Sequence, residues 1–184
     1  MKKVTAILIG AGLRGGYVYS QYALDHPDEF QVVAVAEPDP ERRELFAAKH
    51  QIPSELCFES YEELLKKEKM ADCAMVCTQD KMHYEPVVMA MEKGYHVLCE
   101  KPMSPDKKEI IEMGEMAKKY DVTVLGTKDT TSYIVSSLIT YLKSSLAPRV
   151  TRHGVLVEIY GEGILINGDS GIGKSETAIE LVKR

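Results

Sequence analysis

The chain has 184 residues, of which 45% are hydrophobic and 28% charged, and its formal net charge at pH 7 is −5. This length allows one large domain or two small ones, and the composition excludes wholesale disorder. The acidic balance argues against a protein that coats nucleic acid, because phosphate binding needs a basic face. The longest apolar runs fall far short of the roughly 20 residues that a membrane-spanning helix needs.

The amino-terminal sequence and the pattern of cysteines indicate the cellular compartment of the protein. Residues 1–4 run directly into a strand-like segment with no signal-peptide cleavage pattern, so we expect a cytoplasmic protein without a membrane partner. The four cysteines lie in or beside apolar segments and lack paired CxxC spacing. We therefore expect reduced, buried thiols and no zinc site at Cys57, Cys73, Cys77 and Cys99.

Apolar runs alternate with helix-period segments over residues 1–125, which predicts a doubly wound, parallel α/β sheet of the Rossmann type. The predicted strands are Val4–Ile9, Gln31–Ala36, Leu56–Phe58, Ala74–Cys77, His96–Cys99 and Val122–Leu125. The predicted helices are Gly15–Leu24, Pro40–His50, Tyr61–Glu68 capped by Ser60, His83–Lys93, and Pro105–Tyr120 opened by Ser104.

The pattern changes near Gly126, so we expect a domain at 1–125 and a second segment at 126–184. The second segment is predicted to contain a helix at 130–146, a β-hairpin at 155–166, a phosphate loop at 168–175 and a final helix at Glu176–Lys183. The predicted hairpin turn is Gly161-Glu162, with glycine first. Several apolar side chains of this segment would be exposed unless something covers them: Val155, Val157, Ile164, Ile166 and Leu181. We therefore expect self-association or local disorder past residue 150.

Three glycines, Gly10, Gly12 and Gly15, follow the first strand and open the first helix, as in a dinucleotide-binding loop. They permit a tight turn, close approach of a pyrophosphate and tight helix–strand packing, and the helix amino terminus faces the phosphate. Glu37 ends the second strand 22 positions after Gly15, where its carboxylate could accept hydrogen bonds from ribose hydroxyls. This favours NAD over NADP, although Arg42 and Arg43 lie close enough to weaken the preference. The alternative is a glycine turn in a domain that binds no nucleotide.

Two further segments, Cys77–His83 and Glu100–Pro102, follow strands at the carboxyl edge of the predicted sheet, where ligands of open α/β folds bind. With the glycine loop they make residues 1–120 resemble the Gfo/Idh/MocA family of nicotinamide-dependent sugar and polyol dehydrogenases. Gln79 and Asp80 depart from the family pattern, which has proline and asparagine there. The resemblance implies NAD(H) as cofactor, Lys101 as the lysine that contacts cofactor and substrate, and cofactor-binding positions at Gly10, Gly12, Gly15, Glu37, Thr78, His83 and Glu100.

Residues 168–175 read G-D-S-G-I-G-K-S and fit the Walker A pattern between a predicted strand and a predicted helix. The glycines leave backbone N–H groups free for an anion, Lys174 would reach the β- and γ-phosphates, and the Ser175 hydroxyl could ligate Mg²⁺. The predicted nucleotide-binding residues are Gly168, Asp169, Ser170, Gly171, Ile172, Gly173, Lys174 and Ser175.

This loop, together with Thr130–Tyr133, Ala147-Pro148 and His153–Gly161, makes residues 126–184 resemble HPr kinase/phosphorylase. The resemblance implies ATP with Mg²⁺, the phosphocarrier HPr as partner, His153 as an active-site histidine, Lys174 as the catalytic lysine and Ser175 as a metal ligand. Apart from the resemblance, His153 fits better as a packing residue at a strand edge.

Each half ends before the family it resembles completes its chemistry. From the two resemblances we expect that the chain lacks a substrate-binding domain with a catalytic acid/base after the first domain, and that the acidic base and second metal ligand of the kinase lie beyond Arg184. We therefore expect a chimera that binds NAD and, more weakly, ATP, without efficient catalysis alone. Two alternatives stay open: an HPr kinase/phosphorylase completed by another subunit, and an NAD-dependent sugar or polyol dehydrogenase that borrows a substrate domain.

Overall fold

The structure is a computed structural model that describes residues 2–122 and 129–183. It divides into two compact units, Met1–Gly126 and Thr127–Arg184. Within the described ranges, no helix has both the length and the apolar character of a membrane span.

The first unit alternates strands and helices in the predicted order. Its strands are β1 (Val4–Ile9), β2 (Phe30–Ala36), β3 (Cys57–Phe58), β4 (Cys73–Val76) and β5 (His96–Cys99). Its α-helices are α1 (Gln21–Asp25), α2 (Pro40–His50), α3 (Tyr61–Lys66), α4 (Tyr84–Glu92) and α5 (Lys107–Lys119), with 3₁₀ turns at Ser54–Leu56 and Asp80–Met82. The predicted strand Val122–Leu125 lies, apart from its first residue, outside the described residues.

The five strands form one parallel sheet in the order β3-β2-β1-β4-β5, which confirms the predicted Rossmann-type fold. The chain moves outward from β1 to β3 and then returns to the other side of β1 as β4. The direction of winding therefore reverses between β1 and β4. In open α/β sheets, ligands bind beyond the carboxyl ends of the strands at this reversal.

The side chains of β1 alternate between two cores, one on each face of the sheet. Ile7 and Ile9 face a core that they share with α3, α4 and α5, whereas Ala6 and Leu8 face a core shared with α1 and α2. All four side chains are at most 1% exposed. Burial on both faces explains why residues 6–9 of this strand are a continuous apolar run without alternation.

The helix after the glycine loop differs from the continuous helix predicted at Gly15–Leu24. Leu13–Tyr19 forms a π-helical turn, and α1 follows after Ser20. The Ser20 N–H donates to the carbonyl of Gly15 at 3.2 Å, and the buried Ser20 hydroxyl donates to the same oxygen at 2.6 Å. Because both donors bind an oxygen five residues back, the backbone takes the wider π geometry there.

The helix caps agree with the sequence in α3 and differ in α5. The Ser60 hydroxyl accepts the N–H of Glu63 at 3.3 Å, which confirms the predicted cap of α3. Helix α5 begins later than predicted, because Asp106 caps it by accepting the N–H of Lys108 at 2.8 Å. Ser104, the expected cap, is buried and accepts the Asp106 N–H at 2.9 Å.

The second unit contains α6 (Thr131–Leu146), β6 (Gly154–Ile159), β7 (Glu162–Asn167) and α7 (Lys174–Lys183). Strands β6 and β7 form the predicted antiparallel hairpin, paired from Gly154 with Asn167 to Ile159 with Glu162. Helix α7 packs on the hairpin and begins two residues earlier than predicted.

The hairpin turn is Tyr160-Gly161, so the predicted turn Gly161-Glu162 is wrong by one residue. Both turn residues have positive φ, 53° for Tyr160 and 84° for Gly161. This is the type I′ pattern, whose twist matches the twist of the flanking strands. Because Ile159 and Glu162 already pair, Glu162 belongs to β7.

Apolar side chains of the second unit are exposed to different extents. Ile164 and Leu181 of the hairpin and α7 are exposed, whereas Val155, Val157 and Ile166 are half-buried. The apolar stripe of α6 is exposed along its length at Val135, Leu138, Ile139, Leu142 and Leu146. Self-association of this unit stays a prediction.

Candidate functional site

A cleft of about 430 Å³ lies at the carboxyl edge of the sheet in the first unit. Residues after β1, β2 and β4 line it, together with the start of α3, and they include Gly10, Gly12, Glu37, Arg42, Tyr61 and Thr78. Its volume falls in the range of about 300–1,000 Å³ that is usual for ligand pockets. The cleft therefore occupies the place where this topology binds ligands.

The three predicted loop glycines meet different surroundings. A Cβ on Gly10, whose φ is +90°, would lie 2.7 Å from the Cys77 carbonyl oxygen, and one on Gly15 would collide with the Gly10 carbonyl. A Cβ on Gly12 would meet nothing within 4 Å. The packing of the chain itself therefore requires Gly10 and Gly15, whereas Gly12 leaves open space beside the cleft.

Gly16 is a fourth glycine of this loop, which the sequence reasoning missed. A Cβ there would lie 2.6 Å from the Ala11 carbonyl oxygen, and the Gly16 N–H donates to the Gly12 carbonyl at 2.7 Å. The doubled glycine at 15–16 was the available signal.

Glu37 lies where predicted, at the end of β2, and the residue is 3% exposed. One carboxylate oxygen accepts the backbone N–H of Ala11 at 2.8 Å. The other accepts the N–H of Asp39 at 3.1 Å and faces the Arg42 guanidinium at 3.2 Å. Glu37 thus fixes the glycine loop through the Ala11 N–H. Its contact with a ribose stays a prediction.

Both arginines near this carboxylate are already engaged. Besides Glu37, the Arg42 guanidinium lies 3.8 Å from Asp39. Arg43 donates to the Glu37 carbonyl at 2.5 Å and lies 3.6 Å from the Glu59 carboxylate. A 2′-phosphate would have to displace these contacts to use either positive charge.

His83 links the two segments that carry the family resemblance. Its ring is fully buried, with Nε2 3.0 Å from the Thr78 carbonyl oxygen and Nδ1 2.8 Å from the Pro102 carbonyl oxygen. Both ring nitrogens face main-chain oxygens, so His83 positions the loop after β4 against the segment after β5. Thr78 itself lines the cleft, and its hydroxyl donates to the Met82 carbonyl at 3.0 Å.

Glu100 and Lys101 differ in their surroundings. The Glu100 side chain is 11% exposed, accepts a hydrogen bond from the Tyr19 phenol and lies 3.9 Å from the Arg14 guanidinium. Lys101 is exposed, and its ammonium group has no hydrogen bond or ion pair with any other described residue. The sequence reasoning missed Tyr19, because nothing local marks a residue whose partner lies 81 positions away.

The four cysteines are free thiols. Among them only Cys77 is buried, whereas Cys57, Cys73 and Cys99 are half-buried. The expectation that all four are buried is therefore wrong for these three. Cys77 lines the cleft. Burial, reinforced by the nearby Glu100 carboxylate, raises the pKa of its thiol to about 12. The Cys77 thiol is therefore uncharged at neutral pH and is no nucleophile there.

The phosphate loop of the second unit joins β7 to α7. Gly168, Gly171 and Gly173 have positive φ, at 151°, 86° and 86°, respectively. The Lys174 ammonium group folds back over the loop and donates to the carbonyls of Gly168 at 2.7 Å and Asp169 at 2.5 Å. The loop thus has glycines at positive φ, as anion-binding nests do, and its lysine is bound to main-chain oxygens.

The other predicted residues of this loop are accessible. Asp169, Ser170 and Ser175 are exposed. The Ile172 side chain lies over Gly168, so that a Cβ added at Gly168 would collide with it. His153 lies just before β6 and is also exposed. Its side chain makes no hydrogen bond or ion pair with the described part of the loop, so its predicted catalytic role stays a prediction.

Two family models match this chain. Residues 4–127 match the oxidoreductase family with an NAD-binding Rossmann fold, Gfo/Idh/MocA, and residues 144–184 match the HPr serine kinase C-terminal domain. The HPr kinase/phosphorylase of Caldicellulosiruptor bescii is 57% identical over 70 residues, which cover 38% of this chain and 22% of that protein. The HPr kinase/phosphorylase of Lactiplantibacillus plantarum is 55% identical over 80 residues, covering 44% of this chain and 24% of that protein.

Solved structures resemble the first part of the chain. An oxidoreductase from Thermotoga maritima is 27% identical, with a TM-score of 0.59, covering 66% of this chain and 37% of that one. The WlbA dehydrogenase from Chromobacterium violaceum, solved with NADH and UDP-GlcNAcA, is 20% identical, with a TM-score of 0.63, covering 79% of this chain and 41% of that one. This chain thus spans less than half of these structures and about a quarter of the curated relatives. It belongs to the oxidoreductase family with an NAD-binding Rossmann fold, and its carboxyl-terminal segment is similar to the HPr serine kinase C-terminal domain.

Proposed function

We propose that the first unit binds NAD(H) across the cleft, with the pyrophosphate over Gly12 and the adenosine at the end of β2 beside Glu37. The observation that carries this proposal is the contrast among the loop glycines. Gly10, Gly15 and Gly16 are packed against the chain itself, whereas Gly12 adjoins open space in the cleft. A glycine that internal packing does not require is what a closely approaching phosphate needs.

The charges at the end of β2 support NAD over NADP as the preferred cofactor. The Glu37 carboxylate would repel a 2′-phosphate, and the guanidinium groups of Arg42 and Arg43 already bind carboxylate or carbonyl oxygens. We expect NADH to bind at least tenfold more tightly than NADPH, which corresponds to about 1.4 kcal/mol.

Isothermal titration calorimetry with NADH tests this function. Gly12→Ala adds one methyl group that meets no other part of the chain, so the fold should survive while NADH binding weakens at least tenfold (about 1.4 kcal/mol). Gly114→Ala in α5 is the matched control, because its Cβ also meets nothing within 4 Å and lies outside the cleft lining. Equal NADH affinity in both variants, or no binding by the unaltered chain, would refute the proposal.

We further propose that the second unit binds the phosphates of ATP with Mg²⁺ at residues 168–175, using Lys174 and Ser175. The positive φ values of the three glycines and the similarity to HPr kinase/phosphorylases support this assignment. Lys174 would exchange the carbonyls of Gly168 and Asp169 for phosphate oxygens. Calorimetry with Mg-ATP should give binding that Lys174→Ala abolishes and that Lys183→Ala, at the other end of α7, retains.

The whole chain is then a nucleotide-binding hybrid. Transfer of radiolabel from ATP to HPr, lost in Lys174→Ala, would instead establish the alternative kinase activity, for which His153 is the candidate active-site histidine. Formation of NADH with a panel of sugars and polyols, lost in Lys101→Ala, would establish the alternative dehydrogenase activity.

A further inference from the structure

One hydrogen bond joins the dinucleotide loop to the segment after β5. The Tyr19 phenol donates to one oxygen of the Glu100 carboxylate, and the Arg14 guanidinium faces the other oxygen at 3.9 Å. Tyr19 and Arg14 lie on either side of Gly15, in the turn that follows the loop. Glu100 precedes the exposed Lys101. The turn after the dinucleotide loop and the segment after β5 are thus joined through a nearly buried carboxylate.

The π-helical turn determines where Tyr19 points. Its last residue is Tyr19, and the buried Ser20 holds it closed by donating twice to the Gly15 carbonyl. Each residue of a π-helix is rotated less than in an α-helix, so a side chain at the end of the turn moves to another face. The same backbone that shapes the glycine loop therefore also sets the position of the phenol.

The strand order places this pair on the far side of the loop from Glu37. Three strand spacings, about 14 Å in total, separate β2 from β5 across β1 and β4. With the adenosine at the end of β2 and the pyrophosphate over Gly12, a dinucleotide extends toward the ends of β4 and β5. The nicotinamide half would then lie on the side of Glu100.

We infer that Tyr19 is a positioning residue for the nicotinamide half of the cofactor, and that it acts by holding the Glu100 carboxylate at the carboxyl edge of the sheet, directly after β5. This inference rests on the proposed binding of NAD(H). It assigns Tyr19 no contact with the adenosine or the pyrophosphate. Loss of the phenol hydroxyl should therefore weaken a ligand that contains nicotinamide more than a ligand that lacks it.

The experiment compares NADH with ADP-ribose, which retains the adenosine and the pyrophosphate but has no nicotinamide. Tyr19→Phe removes one hydrogen bond to a charged group, so we expect NADH affinity to fall about tenfold. ADP-ribose affinity should change less than about twofold, which also shows that the variant is folded. Tyr22→Phe is the matched control, because its hydroxyl also donates to a carboxylate, that of Glu29 at 2.7 Å, but in an exposed position away from Glu100.

The NMR resonance of the Tyr19 phenol gives a second readout, which would not change if Tyr19 had only a structural role. The hydrogen bond to Glu100 and burial raise the pKa of Tyr19 to about 12. NADH whose nicotinamide half lies near Glu100 should shift the Tyr19 resonance of ¹³C-labelled tyrosine, and ADP-ribose should not.

The possible results separate the inference from the proposed function. Parallel losses of NADH and ADP-ribose affinity in Tyr19→Phe, or no loss of either, would overturn the role of Tyr19 and leave NAD(H) binding standing. If the unaltered chain binds neither ligand, both proposals fail.

Discussion

Glu37 and Ala11 are 26 positions apart, yet the Glu37 carboxylate accepts the Ala11 N–H at 2.8 Å. The bond joins the end of β2 to the turn after β1, so the residue predicted to bind the ribose also shapes the loop predicted to bind the pyrophosphate. Both groups are almost fully buried, with Glu37 3% and Ala11 1% exposed. Changes at Glu37 should therefore affect folding as well as cofactor binding.

Replacement of Glu37 by alanine should lower the free energy of unfolding by about 1–3 kcal/mol, because the buried Ala11 N–H loses its acceptor and Arg42 loses its nearest carboxylate. Urea denaturation measures the change. The control is Glu59→Ala, which removes an exposed carboxylate that faces Arg43 at 3.6 Å and should change stability by less than about 0.5 kcal/mol. Equal losses in the two variants would contradict the role given to the Ala11 contact.

Replacement of Gly15 by alanine should destabilise the first unit by about 2 kcal/mol or more, because its Cβ would overlap the Gly10 carbonyl and lie 2.8 Å from a methyl group of Leu8. Gly114→Ala in α5 should instead stabilise by about 0.5–1 kcal/mol, as alanine is the better helix former. Thermal unfolding compares the two. A tolerated alanine at 15 would show that the helix does not pack on β1 as closely as described.

His50 should make the stability depend on pH in the acidic range. Burial and the charge of Lys49 lower its pKa from 6.5 to about 4, and its ring nitrogen Nε2 is buried with no hydrogen-bond partner among the described residues. Between pH 6.5 and 4 the unfolded chain binds a proton that the folded chain does not, so stability falls as the pH falls through this window. The stability contributed by neutral His50 is complete above pH 6.5. The free energy of unfolding should fall by about 2–3 kcal/mol by pH 4.5.

Urea denaturation of the unaltered chain and of His50→Phe at pH 7 and pH 4.5 isolates this contribution. Phenylalanine keeps the stacking with the Phe46 ring, whose centroid lies 4.2 Å away, and removes the titrating group. The control is His26→Phe, at an exposed histidine stacked on Tyr22. The acid-dependent loss should disappear in His50→Phe and persist in His26→Phe; the same loss in all three chains would exclude His50 as its source.

The type I′ turn of the hairpin predicts opposite effects at two neighbouring residues. Tyr160 is 97% exposed with φ of 53°, so Tyr160→Gly loses little packing and should stabilise the hairpin by about 0.5–1 kcal/mol. Glu162 pairs with Ile159 in the strand, so Glu162→Gly should destabilise it by a similar amount. Hydrogen exchange of β6 and β7 measures both effects. If glycine at 162 were the better tolerated of the two, the turn would be Gly161-Glu162 after all.

Much of the first unit follows from local pattern. The bounds of β1, α2 and β5 agree with the sequence to the residue, because a buried parallel strand is a short apolar run and a capped helix has its own start and end signals. The glycines of both phosphate loops were recognisable for a similar reason, since positive φ restricts the residue type wherever it occurs. The errors fall where two local signals compete, as between Ser104 and Asp106 at the start of α5 or between the two readings of the turn at Gly161.

The sequence by itself determined the order of strands and helices, the class of fold and the positions of both glycine loops. Only the tertiary structure decided which of these residues meet: Glu37 with Ala11, His83 with Pro102, and Tyr19 with Glu100. The physical reason is the order of the strands. A parallel sheet brings the carboxyl ends of distant segments to one edge, and the lateral order β2-β1-β4-β5, which no local pattern encodes, selects the partners among them.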